Sequence, residues 1–248
     1  MIVLKSDREL KYMRDAGKIT ANALEEVKKA VAPEVSTQEL DRIAEKYIQR
    51  SGAKAAFKGY HGFPGNICTS INEEVVHGIP GIRRLHQGDI VSIDVGVLIN
   101  DYYGDAAVTV PVGSVAPEIE KLLNVTQAAL TAGIEKAISG NRLGDISNAV
   151  QTVAELNGYG VVRDYVGHGI GRKMHEDPQI PNFGKPGQGP LLKTGMTMAI
   201  EPMINLGSYE VQTLEDNWTV VTVDAKVSAH FEHTIAITPN GPEVLTRL

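Results

Sequence analysis

The chain has 248 residues, of which 42% are apolar and 22% charged, and a formal net charge of −6. This composition suits one large domain with an ordinary core, excludes an intrinsically disordered chain, and argues against holding nucleic acid by phosphate neutralisation. The single cysteine, Cys68, excludes an internal disulfide and a zinc site built from several thiolates. No apolar run approaches the roughly 20 residues that cross a bilayer. Lys5, Asp7, Arg8 and Glu9 interrupt any signal-peptide core, so a soluble cytoplasmic protein is expected.

Ser6 with Glu9 reads as a capping box, and Leu10, Met13, Ile19, Ala23, Val27 and Ala30 recur at helical spacing up to Pro33. A second box at Ser36 and Glu39 opens a helix through Leu40, Ile43, Ala44, Tyr47 and Ile48, stopped by Ser51-Gly52. Residues 67–71, 90–99 and 102–112 alternate or run apolar and predict strands. The plan then repeats: helices over about 117–139 and 145–156, then strands over 196–205, 219–223 and 227–238. Residues 177–190, rich in Pro and Gly, predict a loop.

Individual residues repeat as well. His77-Gly78-Ile79 matches His168-Gly169-Ile170; Gly88 precedes Asp94 by six residues, as Gly195 precedes Glu201. Asp105 and Glu232 each open a further apolar run. The shared order favours a duplicated unit whose halves, packed face to face, would bring their acids to a common cleft.

Asp94 sits within Ile-Val-Ser-Ile-Asp-Val-Gly-Val, where a carboxylate is costly unless paired or metal-bound. A two-residue turn at Asn100-Asp101 would set Gly96 opposite Asp105 and put Asp94 on the same face, so that the two carboxylates converge and repel unless a cation or proton intervenes. A solvated hairpin face is the alternative, stronger for Asp105 than for Asp94. Glu201 ends a buried run before Pro202, which cannot continue a central ladder. It marks either a site or the point where the strand meets water. Glu232 is a site acid or a solvent-facing strand acid. His77 and His168 adjoin glycines, where backbone approaches a ligand closely. Each histidine taken alone, His175 included, is more often structural or exposed. The spacing around His168 is no phosphate loop, and neither His-Glu-x-x-His nor Gly-x-Ser-x-Gly occurs.

Taken in order, His77, Asp94, Asp105, His168, His175, Glu201 and Glu232 resemble the site of type I methionine aminopeptidases. The resemblance is carried by Tyr60-His61-Gly62-Phe63-Pro64, Asn-Glu-Glu-Val-Val-His-Gly-Ile-Pro at 72–80, Gly167-His168-Gly169-Ile170-Gly171, Glu201-Pro202 and Phe231-Glu232-His233-Thr234, and it spans nearly the whole chain. It implies an α/β (α+β) pita-bread fold: one catalytic domain over 1–248, with pseudo-symmetric helix-helix-sheet halves at about 1–112 and 113–248 around a central antiparallel sheet. The activity implied is removal of the N-terminal methionine when the second residue is small, by metal-activated water attack on the first peptide bond. The resemblance assigns two divalent ions (Mn, Fe, Co or Zn) to Asp94, Asp105, His168, Glu201 and Glu232, with Asp105 and Glu232 bridging; so oxygen-rich a set does not suit Cu(I).

By the same resemblance Glu201 also relays a proton to the departing amine, while His77 and His175 donate hydrogen bonds to the substrate amide and the tetrahedral oxyanion. Tyr60, Phe63, Cys68, Met174 and Trp218 would surround the methionine side chain, with His61 at the rim; Met174 stands where the family often has an aromatic. The implied partners are nascent polypeptide N-termini and, transiently, the ribosome, with no nucleic-acid or membrane binding and a monomeric state. Two rivals share the fold: a proline-directed peptidase, which usually carries a further N-terminal domain, and a non-catalytic binding protein, which typically loses ligands.

Overall fold

The computed structural model describes residues 1–247. Helix α1 (Asp7–Lys29) starts where Ser6 and Glu9 cap one another, and α2 (Thr37–Arg50) starts on the same device at Ser36 and Glu39. Helix α1 lies on a hairpin of two ten-residue strands, Ile90–Ile99 and Tyr102–Pro111, and α2 packs on α1 and on the short strand Lys54–Ala55. Asn100 (φ 51°) and Asp101 (φ 63°) are both left-handed, as a two-residue turn matching strand twist requires. Cys68–Ile71 and Lys54–Ala55 complete this sheet, and Ala23, Val27, Leu40, Ala44, Ile48, Ile93 and Val95 form its core.

In the second half α3 (Pro117–Lys136), with proline at its first turn, packs on α4 (Leu143–Leu156). These helices cover a five-stranded sheet in the order Gly241–Val244, His233–Thr238, Thr197–Ile200, Gly167–Gly169, Glu176–Ile180. Leu122, Leu130, Ile146, Met198, Ile200 and Ile235 build its core. Every strand pairing among the described residues is antiparallel. No described helix is long and apolar enough to cross a membrane.

The two cores meet at Val108, which packs against both. There the sheets touch through one backbone pair: Glu232 N donates to Ala107 O at 2.9 Å, and Ala107 N to Glu232 O at 3.4 Å. Hydroxyls flank the pair. Thr234 Oγ1 accepts from Asp105 N (3.0 Å) and donates to Asp105 O (2.8 Å); Thr109 Oγ1 accepts from His230 N and donates to His230 O, both at 2.8 Å. Side chains thus satisfy backbone groups that the ladder leaves unmatched.

Three expectations need correction. The 177–190 segment is not all loop, because Glu176–Ile180 is an edge strand against Gly167–Gly169, and an edge is where Pro178 is tolerated in a sheet. The apolar runs 196–205 and 227–238 are each two strands, broken at Glu201-Pro202 and at Phe231-Glu232. Each break falls on an acid that leaves the ladder. Helix α3 also ends at Lys136 rather than near 139.

Candidate active site

The turn at Asn100-Asp101 produces the register that convergence of the first two acids requires: Gly96 pairs with Asp105, Asp94 with Ala107, and Cys68 with Asp94. Asp94 and Asp105 therefore lie on one face as diagonal neighbours. His168 enters from the strand Gly167–Gly169. Its flanking glycines are needed for packing, since a Cβ at Gly167 would stand 2.4 Å from Ala199 O and one at Gly169 2.2 Å from Asp177 O. Glu201 and Glu232 project from the two ladder breaks.

Asp105, His168 and Glu232 are buried and offer one donor atom each within 4.8 Å of one another. His168 Nε2 lies 3.7 Å from Asp105 Oδ2 and 3.6 Å from Glu201 Oε1. These gaps exceed a hydrogen bond and are close to the roughly 3–3.5 Å that separates two donors each about 2.1 Å from a shared ion. His168 Nδ1 meets Gly169 O at 2.9 Å; donating there, it leaves the Nε2 lone pair facing the carboxylates, as a metal-binding imidazole requires. Burial lowers the His168 pKa, which favours that neutral form. Asp94 Oδ1, Asp105 Oδ1 and Glu232 Oε1 are buried without a hydrogen-bond partner. Burial raises Asp94, and the neighbouring Asp105 adds to it. Burial lifts Asp105 to about 7. Glu201 and Glu232 are raised by burial and then by the other acids, Asp105 first. Orphaned, mutually repelling buried carboxylates around a lone pair are what divalent cations would neutralise, so the residues fit the metal.

Above this floor lies a cavity of about 150 Å³ lined by Phe57, Tyr60, Phe63, Cys68, His77, Met174, His175 and Trp218 together with the five candidate ligands. Phe57, Phe63, Cys68 and Met174 form its apolar wall. Asp216 holds the Trp218 edge by accepting from Trp218 N and Thr219 N, each at 2.8 Å. The Tyr60 hydroxyl stands 2.7 Å from His175 Nδ1, and the His168 and His175 rings are 4.2 Å apart. Burial, with His175 nearby, brings His77 down to about 4; burial, then His168 and His61, does the same to His175. Both imidazoles are neutral at pH 7. His61 is exposed and does not line the cavity; its ring meets Tyr60 edge-on at 4.4 Å.

Sequence reasoning missed three supporting residues. Phe57 left a trace in Gly96, a glycine inside a strand, because a Cβ there would stand 2.6 Å from Phe57 Cε1. Asn182, which donates to Glu201 O at 2.9 Å, has no sequence signature. His230, whose Nε2 is buried 3.8 Å from Glu201 Oε2, carries no motif that sets it apart from the other histidines.

Residues 11–239 match the model of metallopeptidase family M24. The chain is 57% identical over 248 residues to methionine aminopeptidase 1 of Bacillus subtilis, with all of both chains covered. The chain belongs to metallopeptidase family M24 and, within it, to the bacterial methionine aminopeptidases. The crystal structure of methionine aminopeptidase from Thermotoga maritima superposes with a TM-score of 0.99 at 47% identity, covering 100% of each chain. The prolidase from Pyrococcus furiosus shares the fold alone: its TM-score is 0.79 at 24% identity, and the match covers 99% of this chain but 66% of the prolidase. The fold is therefore the pita-bread fold, and family membership implies divalent metal.

Proposed function

We propose that this chain, acting as one catalytic domain over residues 1–248 with halves at about 1–112 and 113–248, removes the N-terminal methionine from nascent proteins and peptides whose second residue is small. The carrying observation is the set of buried, partnerless carboxylate oxygens at the floor of a small apolar cavity. Asp94, Asp105, His168, Glu201 and Glu232 would hold two divalent ions; Mn, Fe, Co and Zn all suit this donor set. When bound, the ions supply Lewis acidity toward the scissile carbonyl and lower the pKa of a coordinated water.

The protein's own groups do the rest. Phe63, Cys68, Met174 and Trp218 take the thioether, a soft side chain suited to sulfur and aromatic contacts. With the Tyr60 hydroxyl donating to Nδ1, the His175 proton resides on Nε2, where it serves the developing oxyanion. Neutral His77 donates to the amide of the scissile bond. Glu201, at the ladder break, passes a proton to the departing amine. A bulky second side chain meets the cleft wall and shifts the carbonyl, and about 1 Å of displacement costs on the order of 10²-fold. The enzyme works in the cytoplasm as a monomer on nascent N-termini, with transient ribosome contact and no direct binding of nucleic acid.

Methionine release from Met-Ala-Ser, Met-Leu-Ser and formyl-Met-Ala-Ser by the Mn-loaded protein tests this reading. Fast, very slow and no cleavage are expected. Equal rates for Ala and Leu would sink the steric argument, and cleavage of Ala-Pro-Ala in their place would favour the proline-directed reading.

A further inference from the structure

Lys5 is a lysine whose side chain is only 3% exposed, and its partner Glu176, 171 residues away, is 12% exposed; Lys5 Nζ donates to Glu176 Oε2 at 2.5 Å. No step described above uses either residue. Glu176 follows His175 directly and opens the edge strand paired with Gly167–Gly169, which carries His168. The preceding residues 171–175, which present Met174 and His175 to the cavity, form neither helix nor strand.

The two oxygens of Glu176 have separate partners. Oε1 accepts from Lys173 N at 3.2 Å and closes the loop; Oε2 takes Lys5. Lys5 is itself anchored, its backbone N–H donating to Gly195 O at 2.7 Å. Gly171 packs into this junction so tightly that a Cβ there would stand 2.5 Å from Lys5 Cε and 2.6 Å from Glu176 Oε1. Burying an ion pair offsets most of its own attraction by desolvation, and an apolar pair would hold the N-terminal segment as well. What the charged pair adds is a single orientation of Glu176, and with it a single path for the adjoining His175 backbone.

We propose that Lys5, acting through Glu176, is a positioning residue for His175, setting its ring at the height where Nε2 meets the developing oxyanion. The inference rests on the reading of His175 as the oxyanion donor. Replacing both charges, Lys5→Met with Glu176→Gln, leaves no buried charge alone and keeps an acceptor for Lys173 N. In the Mn-loaded protein the double variant should keep wild-type metal content and a KM within about threefold, while kcat falls on the order of 10²-fold, as for a catalytic group displaced by about 1 Å. Affinity for a methionine-derived phosphonate, a tetrahedral mimic, should fall in parallel, while affinity for free methionine stays the same.

The deciding measurement repeats the double variant in a His175→Ala background. If the pair acts through His175, its loss there lowers kcat no further. An undiminished additional fall, or an unchanged kcat in the original double variant, overturns the proposal. A His175→Ala protein with wild-type kcat would instead overturn the reading of His175 itself. Lys5→Met alone, which removes the pair while Glu176 Oε1 still accepts from Lys173 N, provides a second variant should the double one fail to fold: kcat should fall at least tenfold with metal content unchanged, and a wild-type kcat again overturns the proposal.

Discussion

At the scale of single residues, Asp105 and His77 are separable by what their loss removes. Asp105→Asn exchanges a candidate ligand carboxylate for an amide that carries no charge, so metal content and activity should fall together; normal stoichiometry measured by elemental analysis with a normal peptidase rate would remove Asp105 from the site. His77→Ala takes away the hydrogen bond proposed for the scissile amide, so kcat should drop by roughly 10²–10³ while metal affinity stays within a few-fold, as read by isothermal titration. Protons separate the two groups as well. His77, His175, His230 and His233, desolvated to different degrees, are all depressed, to between about 3 and about 4. At these histidines the unfolded chain therefore binds more protons than the folded one between about pH 4 and 6.5, and their contribution to stability rises with pH across that window. The raised carboxylates of the site, Asp94, Asp105, Glu201 and Glu232, have the opposite sign: the metal-free fold holds extra protons, and stability is lost as pH rises through their folded values, about 7 for Asp105. Above pH 6.5 only the carboxylates still act. The metal-free protein should lose Tm between pH 6.5 and 8, whereas the metal-loaded protein, its carboxylates already ionised, should hold constant. A metal-free Tm that rises over that interval would contradict this account.

At the scale of elements, glycines decide how closely strands meet at the site. Gly169→Ala would drive a Cβ into Asp177 O, a backbone atom, whereas Gly96→Ala meets the Phe57 ring and Ala56 Cβ. A ring can rotate and backbone cannot. Gly169→Ala should therefore cost more, at the upper end of the roughly 1–3 kcal/mol of overpacking, and should weaken metal binding by moving His168. Gly96→Ala should mainly raise KM. Thermal melts with metal titration would rank the two, and the reverse order would count against the strand-approach argument. Local chemistry made several elements legible: both capping boxes, and the Asn100-Asp101 turn that sets the hairpin register. Where the reading failed, tertiary pairing had overridden the local signal. Pro178 suggested loop, but an edge position leaves its missing N–H harmless. The runs through Ile200 and Phe231 looked continuous because apolar periodicity is blind to a ladder that stops to release an acid. Asn182 reaches the Glu201 backbone by tertiary packing alone, and Phe57 is betrayed only by the glycine it packs on.

At the scale of the whole molecule, the candidate ligands come from both sides of the Val108 junction, Asp94 and Asp105 from one and His168, Glu201 and Glu232 from the other. Neither side alone brings five donors together. Across that junction the two large sheets share a single backbone pair and two threonine hydroxyls, Thr109 and Thr234, while at the periphery Glu74–Val76 of one side pairs with Val220–Thr222 of the other. Each threonine spans the gap with one rotatable oxygen, in place of a continuous row of amide bonds. Such a junction behaves like the contact between two subunits that happen to share a chain. Cutting the exposed connection at Ser114 should yield two polypeptides that recombine into an active heterodimer. Metal, binding only the assembled pair, would tighten their association by mass action. Their dissociation constant, measured with and without Mn, should fall on metal addition, and Thr234→Val should raise it while leaving each separate fragment unchanged.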